Sequence, residues 1–495
     1  MKNNIKVLVV ALFISISQGY AAYDFSSVTN LINDSISKVG PSCGILITRN
    51  DSVIYKKYFG FWSDATYQPI ASGSKLPSMA VIMSLVDQGL MSLDDTVQHY
   101  LPSFSGKPII TLRQLMSHTS GLPGNSSYIS DNSITLQQAV DSVGLRTSMT
   151  SYAPGTSFQY GGVSMHVAGR MAEIATGKSW DVLFNEKFGT PMALAHTDYI
   201  GLGATTNYRI AGGMGTTMPD YGKIINMFYH YGYHNGVQLI DTASIIAMES
   251  DQTNGVPLVN TPYAGDPLRE DFRYGFGTWL EKVNPNNNKA IQIGDQGALG
   301  FTPWVDRCRN MTVVFYVKKS LGGIQPTHTK LRQLIEQIVP IAIPKPIITK
   351  VVSQLKSSAA TSNQWFLNDN IIPGAVNQFY TPTVSGNYTV RVANFGGCDV
   401  TSDAFNFILT SNTTCLGGQN LEIYPNPTTG KIKITLPTTS VTNITLNNQV
   451  GMRVKSFLME NEKGEIDLSA FENGVYFLTI QNELGAVTKK LVLRK

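Results

Sequence analysis

Ser72 and Lys75 stand three positions apart at the head of an apolar stretch, "ASGSKLPSMAVIMSLVDQGL" (residues 71–90). On a helix, positions three apart share a face. Two readings follow. In one, Ser72 caps the helix and Lys75 is solvated. In the other, Ser72 is a nucleophile and Lys75 the group that activates it. A serine hydroxyl attacks poorly until a base accepts its proton, and a neutral lysine is such a base. Lysine holds its proton at neutral pH unless burial or the positive end of a helix disfavours the ammonium. The start of a partly buried helix supplies both conditions. The tetrapeptide alone does not decide between the readings.

The elements around this pair alternate strand and helix. "CGILITRNDSVIYKKYFGF" reads as two strands turning at Asn50-Asp51, and "SMHVAGRMAEIATG" (164–177) as a helix ending at Gly177. Strands return in "KAIQIGDQG", "GFTPWVDR" and "MTVVFYVKK". Strands at both ends with helices between imply an α/β sandwich on an antiparallel sheet. "PIAIPKPIITK" (340–350), with its three prolines, reads as a linker. Beyond it the pattern is all-β, with short alternating strands and Trp365 as a core residue. The expected division is 23–342, 343–412 (a small Ig-like sandwich, read as a spacer) and 418–495.

The 495 residues carry a formal charge of +4, 15% are charged, and no Lys/Arg stripe is present, which argues against a nucleic-acid partner. Lys2 and Lys6, the apolar "VLVVALFISIS" and the small residues of "QGYAA" form a secretory-signal pattern, giving an expected signal peptide over 1–22 and an exported chain. No later segment is long and apolar enough to span a membrane. The four cysteines match no metal-site spacing, and Cys398 and Cys415 are close enough in sequence for a bridge.

Five ordered blocks resemble the serine β-lactamase-like family, which includes class C β-lactamases, penicillin-binding proteins and related esterases. They are "IASGSKLPSMAVIMSLVDQGLMSLDDTVQHYLPSF" (70–104), "ITLRQLMSHTSGLPG" (110–124), "APGTSFQYGGVSMHVAGRMAEIATGKSW" (153–180), "RIAGGMGTTMPDYGKIINMF" (209–228) and "IGDQGALGFTPWVD" (293–306). The resemblance implies a five-stranded antiparallel sheet flanked by helices, with an all-helical subdomain. It implies acyl transfer without metal or organic cofactor. Ser72 would be the acylated nucleophile, Lys75 its activating partner and Tyr160 the proton relay. The backbone N–H of Ala298 would join that of Ser72 as the oxyanion hole. Lys75 and Tyr160 would titrate together, so the base is left open.

Two departures bear on the substrate. The second motif is Tyr160-Gly161-Gly162, so the side chain that usually meets the substrate amide is missing at Gly162. The third is Asp295-Gln296-Gly297 in place of a cation-bearing triplet, and no Lys, Arg or His occurs from Ala290 to Asp306. An acid facing the cleft would repel a substrate carboxylate and raise the pKa of Lys75 or Tyr160. In the other reading Asp295 points to solvent, since a one-residue slip flips the face. The expectation is an esterase or peptidase/amidase on a substrate without a required carboxylate. A β-lactamase or D-alanyl peptidase, and a non-catalytic surface binder, are the alternatives. His118 is expected to be a structural hydrogen-bonding residue, and His230/His234 to mark a helix end rather than a zinc site.

The last 75 or so residues resemble the C-terminal sorting domain of the type IX secretion system of Bacteroidetes, through "IYPNPTTG" (423–430), "NNQVG", "IDLSAFENGVYFLTI" (466–480) and "KKLVLRK". That resemblance implies the secretion machinery as a partner and a secreted or cell-surface location.

Overall fold

Alternation along two strands builds the centre of the molecule. Cys43, Ile45 and Ile47 of β1 (Cys43–Arg49) and Val313, Phe315 and Val317 of β7 (Met311–Val317) point to one core. Leu46, Val314 and Tyr316 point to the other. A period of two is what places successive side chains on opposite faces. The computed structural model describes residues 23–35, 39–266, 269, 272–408, 414–416, 419–436, 441–483 and 485–495, so the expected signal peptide, 1–22, lies outside the described residues.

The hairpin partner of β1 is β2 (Ser52–Phe59), and the turn between them places Asn50 and Asp51 at φ 46° and 66°. β3 (Arg273–Tyr274), β4 (Trp279–Val283), β5 (Ala290–Gly294) and β6 (Thr302–Asp306) complete the sheet, whose order is β2-β1-β7-β6-β5-β4-β3, antiparallel throughout. The five strands expected from the sequence are extended at one edge by β4 and the two-residue β3. One face carries α1 (Ser26–Asp34) and α5 (Leu321–Ile338). The other carries the helical region, including α2 (Lys75–Asp87), α3 (Val163–Thr176) and α4 (Met218–Tyr229). α3 stops where Gly177 turns left-handed at φ 69°. Every residue of α2 from Lys75 to Leu85 is buried, so its apolar surface is a whole cylinder rather than a face.

The chain beyond 343 is all-β. Leu355, Trp365, Tyr388, Val390 and Phe407 form a small core, and the Trp365 indole N–H donates to the Asn377 carbonyl at 2.9 Å. A last pair of four-stranded sheets encloses Ile432, Ile444, Leu478 and Leu491. The loop at Asn394–Gly397 docks on the far end of the seven-stranded sheet. The Asn284 and Asn287 amides donate to the Gly397 carbonyl at 2.6 and 2.9 Å, and Phe395 packs edge-on against Tyr231. Cys398 is bonded to Cys308, 90 residues away, and not to Cys415 as nearness in sequence suggested. The fold, rather than sequence distance, brings the turn after β6 beside that loop. Burial pushes the Cys43 thiol up to about 12, which leaves it inert.

Candidate active site

Ala71 adopts a left-handed backbone at φ 49°, and a 3₁₀ turn over Ala71–Ser74 follows before α2 begins at Lys75. A non-glycine residue there costs roughly 1–3 kcal/mol and persists only where its surroundings hold it. They do so here. The Tyr221 hydroxyl donates to the Gly73 carbonyl at 2.8 Å, and the Ser74 hydroxyl donates to Ala71 O at 2.6 Å while accepting Met214 N–H at 3.0 Å. Ser72 is therefore not the helix cap. Its Oγ lies 2.7 Å from Lys75 Nζ, which also donates to the Ala211 carbonyl at 3.0 Å. Lys75 is 2% exposed. Burial lowers its pKa to about 8, against the opposing pull of Asp295.

Tyr160 follows the short strand Phe158–Gln159 and precedes α3. Its ring lies under Lys75 Nζ, 4.5 Å from nitrogen to centroid, and its hydroxyl is buried without a well-formed hydrogen bond. Burial and then Asp295 raise the phenol well above its usual range; Ser72 and the Trp279 indole, both near it, act in the opposite direction. The structure thus brings Ser72, Lys75 and Tyr160 to one cleft, whose wall also includes Ala298. Gly297 lets the β5–β6 turn approach the turn that carries Ser72, since a Cβ at 297 would sit 2.0 Å from Ile70 O. Among the described residues, neither the Ser72 nor the Ala298 backbone N–H donates to a protein acceptor.

A family model described as "Beta-lactamase" matches residues 33–336. The chain belongs to the β-lactamase family. Residues 422–494 match the secretion system C-terminal sorting domain, which indicates export. A β-lactamase-like protein of Bacteroides dorei DSM 17855 superposes with TM-score 0.57 at 30% identity, over 63% of this chain and 99% of that one. The hydrolase EstCE1 shares the fold at TM-score 0.52 and 18% identity, over 62% of this chain and 97% of its own. Protein flp of Staphylococcus aureus (strain COL) is 26% identical over 34% of this chain and 36% of its own length. Penicillin-binding protein 4 of Amycolatopsis lactamdurans is 27% identical over 37% and 50%. The chain thus spans between about a third and a half of the length of these two curated relatives.

As a β-lactamase-family cleft the site has an unusual third strand. Asp295 neither faces the cleft nor reaches solvent: it is fully buried behind the wall, where Oδ2 accepts the Leu76 N–H at 3.3 Å at the start of α2. A carboxylate there meets the positive end of a helix. Burial still raises its pKa well above the carboxylate range, while Lys75 and Leu76 N–H pull it down. The expected repulsion of a substrate carboxylate by Asp295 therefore loses its geometry. The expected effect on Lys75 and Tyr160 keeps it. Gln296 is clamped from behind: it accepts from Arg269 Nη1 at 3.3 Å and donates to Glu281 at 3.2 Å. Arg269 comes from outside the 290–306 window, so no local motif announces it.

The glycines at 161 and 162 have a steric cause. A Cβ at Gly161 would lie 2.0 Å from the Gly124 carbonyl oxygen, and one at Gly162 would lie 2.7 Å from Ile129 Cδ1. In place of the missing side chain, Asn125 and Asn260 line that wall, and the Asn260 amide donates to the Tyr160 carbonyl at 2.9 Å. His118 bonds through its backbone, accepting Gln159 N–H at 2.8 Å. Its ring makes no hydrogen bond and packs on Phe158, Tyr160 and Tyr274. His230 caps the C-terminal end of α4 and pairs with Asp51, while His234 lies in a short hairpin.

Proposed function

We propose that the chain is an exported serine hydrolase that cleaves carboxylic esters or amides through an acyl-enzyme on Ser72. The observation that carries this is the 2.7 Å separation of Lys75 Nζ from Ser72 Oγ inside a buried site that lowers the amine and raises the phenol. Two titratable groups pushed apart in this way suit a base and an acid. At neutral pH roughly a tenth of Lys75 is the free amine, given a pKa about one unit higher.

Neutral Lys75 takes the hydroxyl proton as Ser72 Oγ attacks the carbonyl carbon. The oxyanion settles between the N–H groups of Ser72 and Ala298. Protonated Tyr160 gives its proton to the departing alkoxide or amine and recovers one from Lys75. Water, entering by the reverse proton route, then releases the acid. The sorting domain supports export and an encounter with the type IX secretion machinery. A β-lactam substrate is less well supported, because β5 and its turn present no cation to the lactam carboxylate.

The test is to incubate the full chain and Ser72→Ala with a fluorophosphonate probe and with p-nitrophenyl butyrate. Labelling and turnover by the native chain alone is the expected result. Equal signal from both proteins would leave only a surface binder with this fold. A chromogenic cephalosporin then ranks lactam against ester.

A further inference from the structure

The cleft has two arms that meet at Ser72, Tyr160 and Ala298. One arm, of about 510 Å³, contains Arg209 and His166 and no Asp or Glu among its described lining residues. We propose that this arm is a subsite for an anionic group of the substrate, a carboxylate, held by Arg209 with His166 at its base. The proposal rests on the Ser72 hydrolase reading and names the substrate class for it.

Arg209 is half-buried, and among the described residues its charge has only neutral protein acceptors. Nη2 donates to the Ser130 carbonyl at 2.6 Å and to Asn132 Oδ1 at 3.1 Å. Those bonds fix the guanidinium without neutralising it. Its Nε–H is buried with no partner, and Nη1 has none among the described hydrogen bonds. A guanidinium so held has donors to spare in the planar fork that suits a carboxylate. His166, on α3, is 1% exposed, lines the same arm and makes no well-formed hydrogen bond from either ring nitrogen. Burial lowers its pKa to about 3, against the opposing pull of the Gly162 and Ile129 backbone and with Arg209 and Lys75 adding to the lowering, so the ring is neutral and offers one N–H donor. The Gly162 and Ile129 backbone lies beside the ring without completing a well-formed bond, and a buried polar ring left in that state is a cost that a ligand can remove.

The glycine at 162 leaves this arm open, and Asp295, sealed behind the wall, is not among its lining residues. The cation absent from β5 is thus present on the opposite side of the nucleophile.

Two anionic esters test this against p-nitrophenyl butyrate: mono-p-nitrophenyl glutarate, with its carboxylate on the acyl side, and 4-butyryloxybenzoate, with its carboxylate on the leaving side. The native chain is expected to favour at least one anionic ester in kcat/KM. Arg209→Met is expected to lower that preference by about 10- to 100-fold, the range of a lost charged hydrogen bond, and Arg209→Lys to recover part of it. Because turnover could fail for other reasons, glutarate is also titrated calorimetrically into Ser72→Ala and into Ser72→Ala/Arg209→Met, each checked for folding by circular dichroism. Binding to the first and not to a folded second supports the subsite even if no ester is turned over, an outcome that would remove the hydrolase reading alone. Equal ester ratios in native chain and Arg209→Met, or no glutarate binding to Ser72→Ala, would overturn the subsite.

Discussion

The two ends of β5 solve the burial of polar groups in opposite ways. At the Ala290 end, where the middle domain docks, the buried charges are saturated. Arg307 donates to both Glu249 oxygens, with the Nη2 contacts at 2.6 and 2.7 Å, and also to the Phe228 and Tyr229 carbonyls, while Asn284 and Asn287 are taken by Gly397. At the Gly294 end the groups around Ser72 are left short. The Tyr160 hydroxyl, both His166 nitrogens, Arg209 Nε and Asp295 Oδ1 are buried without a well-formed partner. A buried polar group without a partner costs about 1–3 kcal/mol, so the second arrangement survives only because the rest of the domain holds it. The difference separates a joint from a workplace: one end is built to stay bonded and the other to receive new bonds.

Substitutions at the two ends should therefore break different properties. The largest effect is expected from Ser72→Ala, which should reduce ester turnover by about 10⁴-fold or more while leaving the thermal midpoint near that of the native chain. Tyr160→Phe should follow, with about a 10²–10⁴-fold loss in kcat for removing an acid–base group, read with esters of poor leaving groups, where the proton matters most. Arg307→Ala at the other end strands a buried Glu249 and should cost about 3–5 kcal/mol in urea unfolding, with kcat unchanged wherever the protein is folded. A loss of kcat in folded Arg307→Ala would erase the distinction drawn here. Gly162→Asn should be smaller, about 1–3 kcal/mol of overpacking against Ile129, visible as a lower melting temperature. Smallest is Asp295→Asn. With Lys75 titrating at about 8 and acting as the free amine, kcat/KM should rise with pH through a limb there. The charge of Asp295 favours the ammonium, so its removal should move that limb to lower pH; a limb that moves up or stays still contradicts the assignment.

What the sequence disclosed and what it withheld divides along the range of the interactions. Ser72 and Lys75 are neighbours by helical geometry, and the left-handed stop at Gly177 and the turn at Asn50-Asp51 are local, so residue type and spacing were enough. The strand alternation of β1 and β7 likewise carried the sheet, though the two-residue β3 is too short to leave a pattern. Asp295 was legible as a departure but not as a direction. Which face it takes depends on the register of β5 and on α2, whose first amides it meets. Arg209, His166 and Arg269 went unnoticed because each enters the cleft or its wall from a separate element, with no shared spacing to mark them. The bridge between Cys308 and Cys398 was hidden for the same reason.

That bridge lies across the proline-rich joint. Residues 308 to 398 form a closed covalent ring with the joint inside it, so a protease that nicks residues 340–350 opens a loop instead of setting a domain free. The two pieces would run as one band on a gel without reductant and as two with it. Since such a bond persists in an oxidising compartment, the β-lactamase-family unit acquires its permanent passenger after leaving the cytoplasm, and it keeps that passenger even if the sorting segment is later trimmed away.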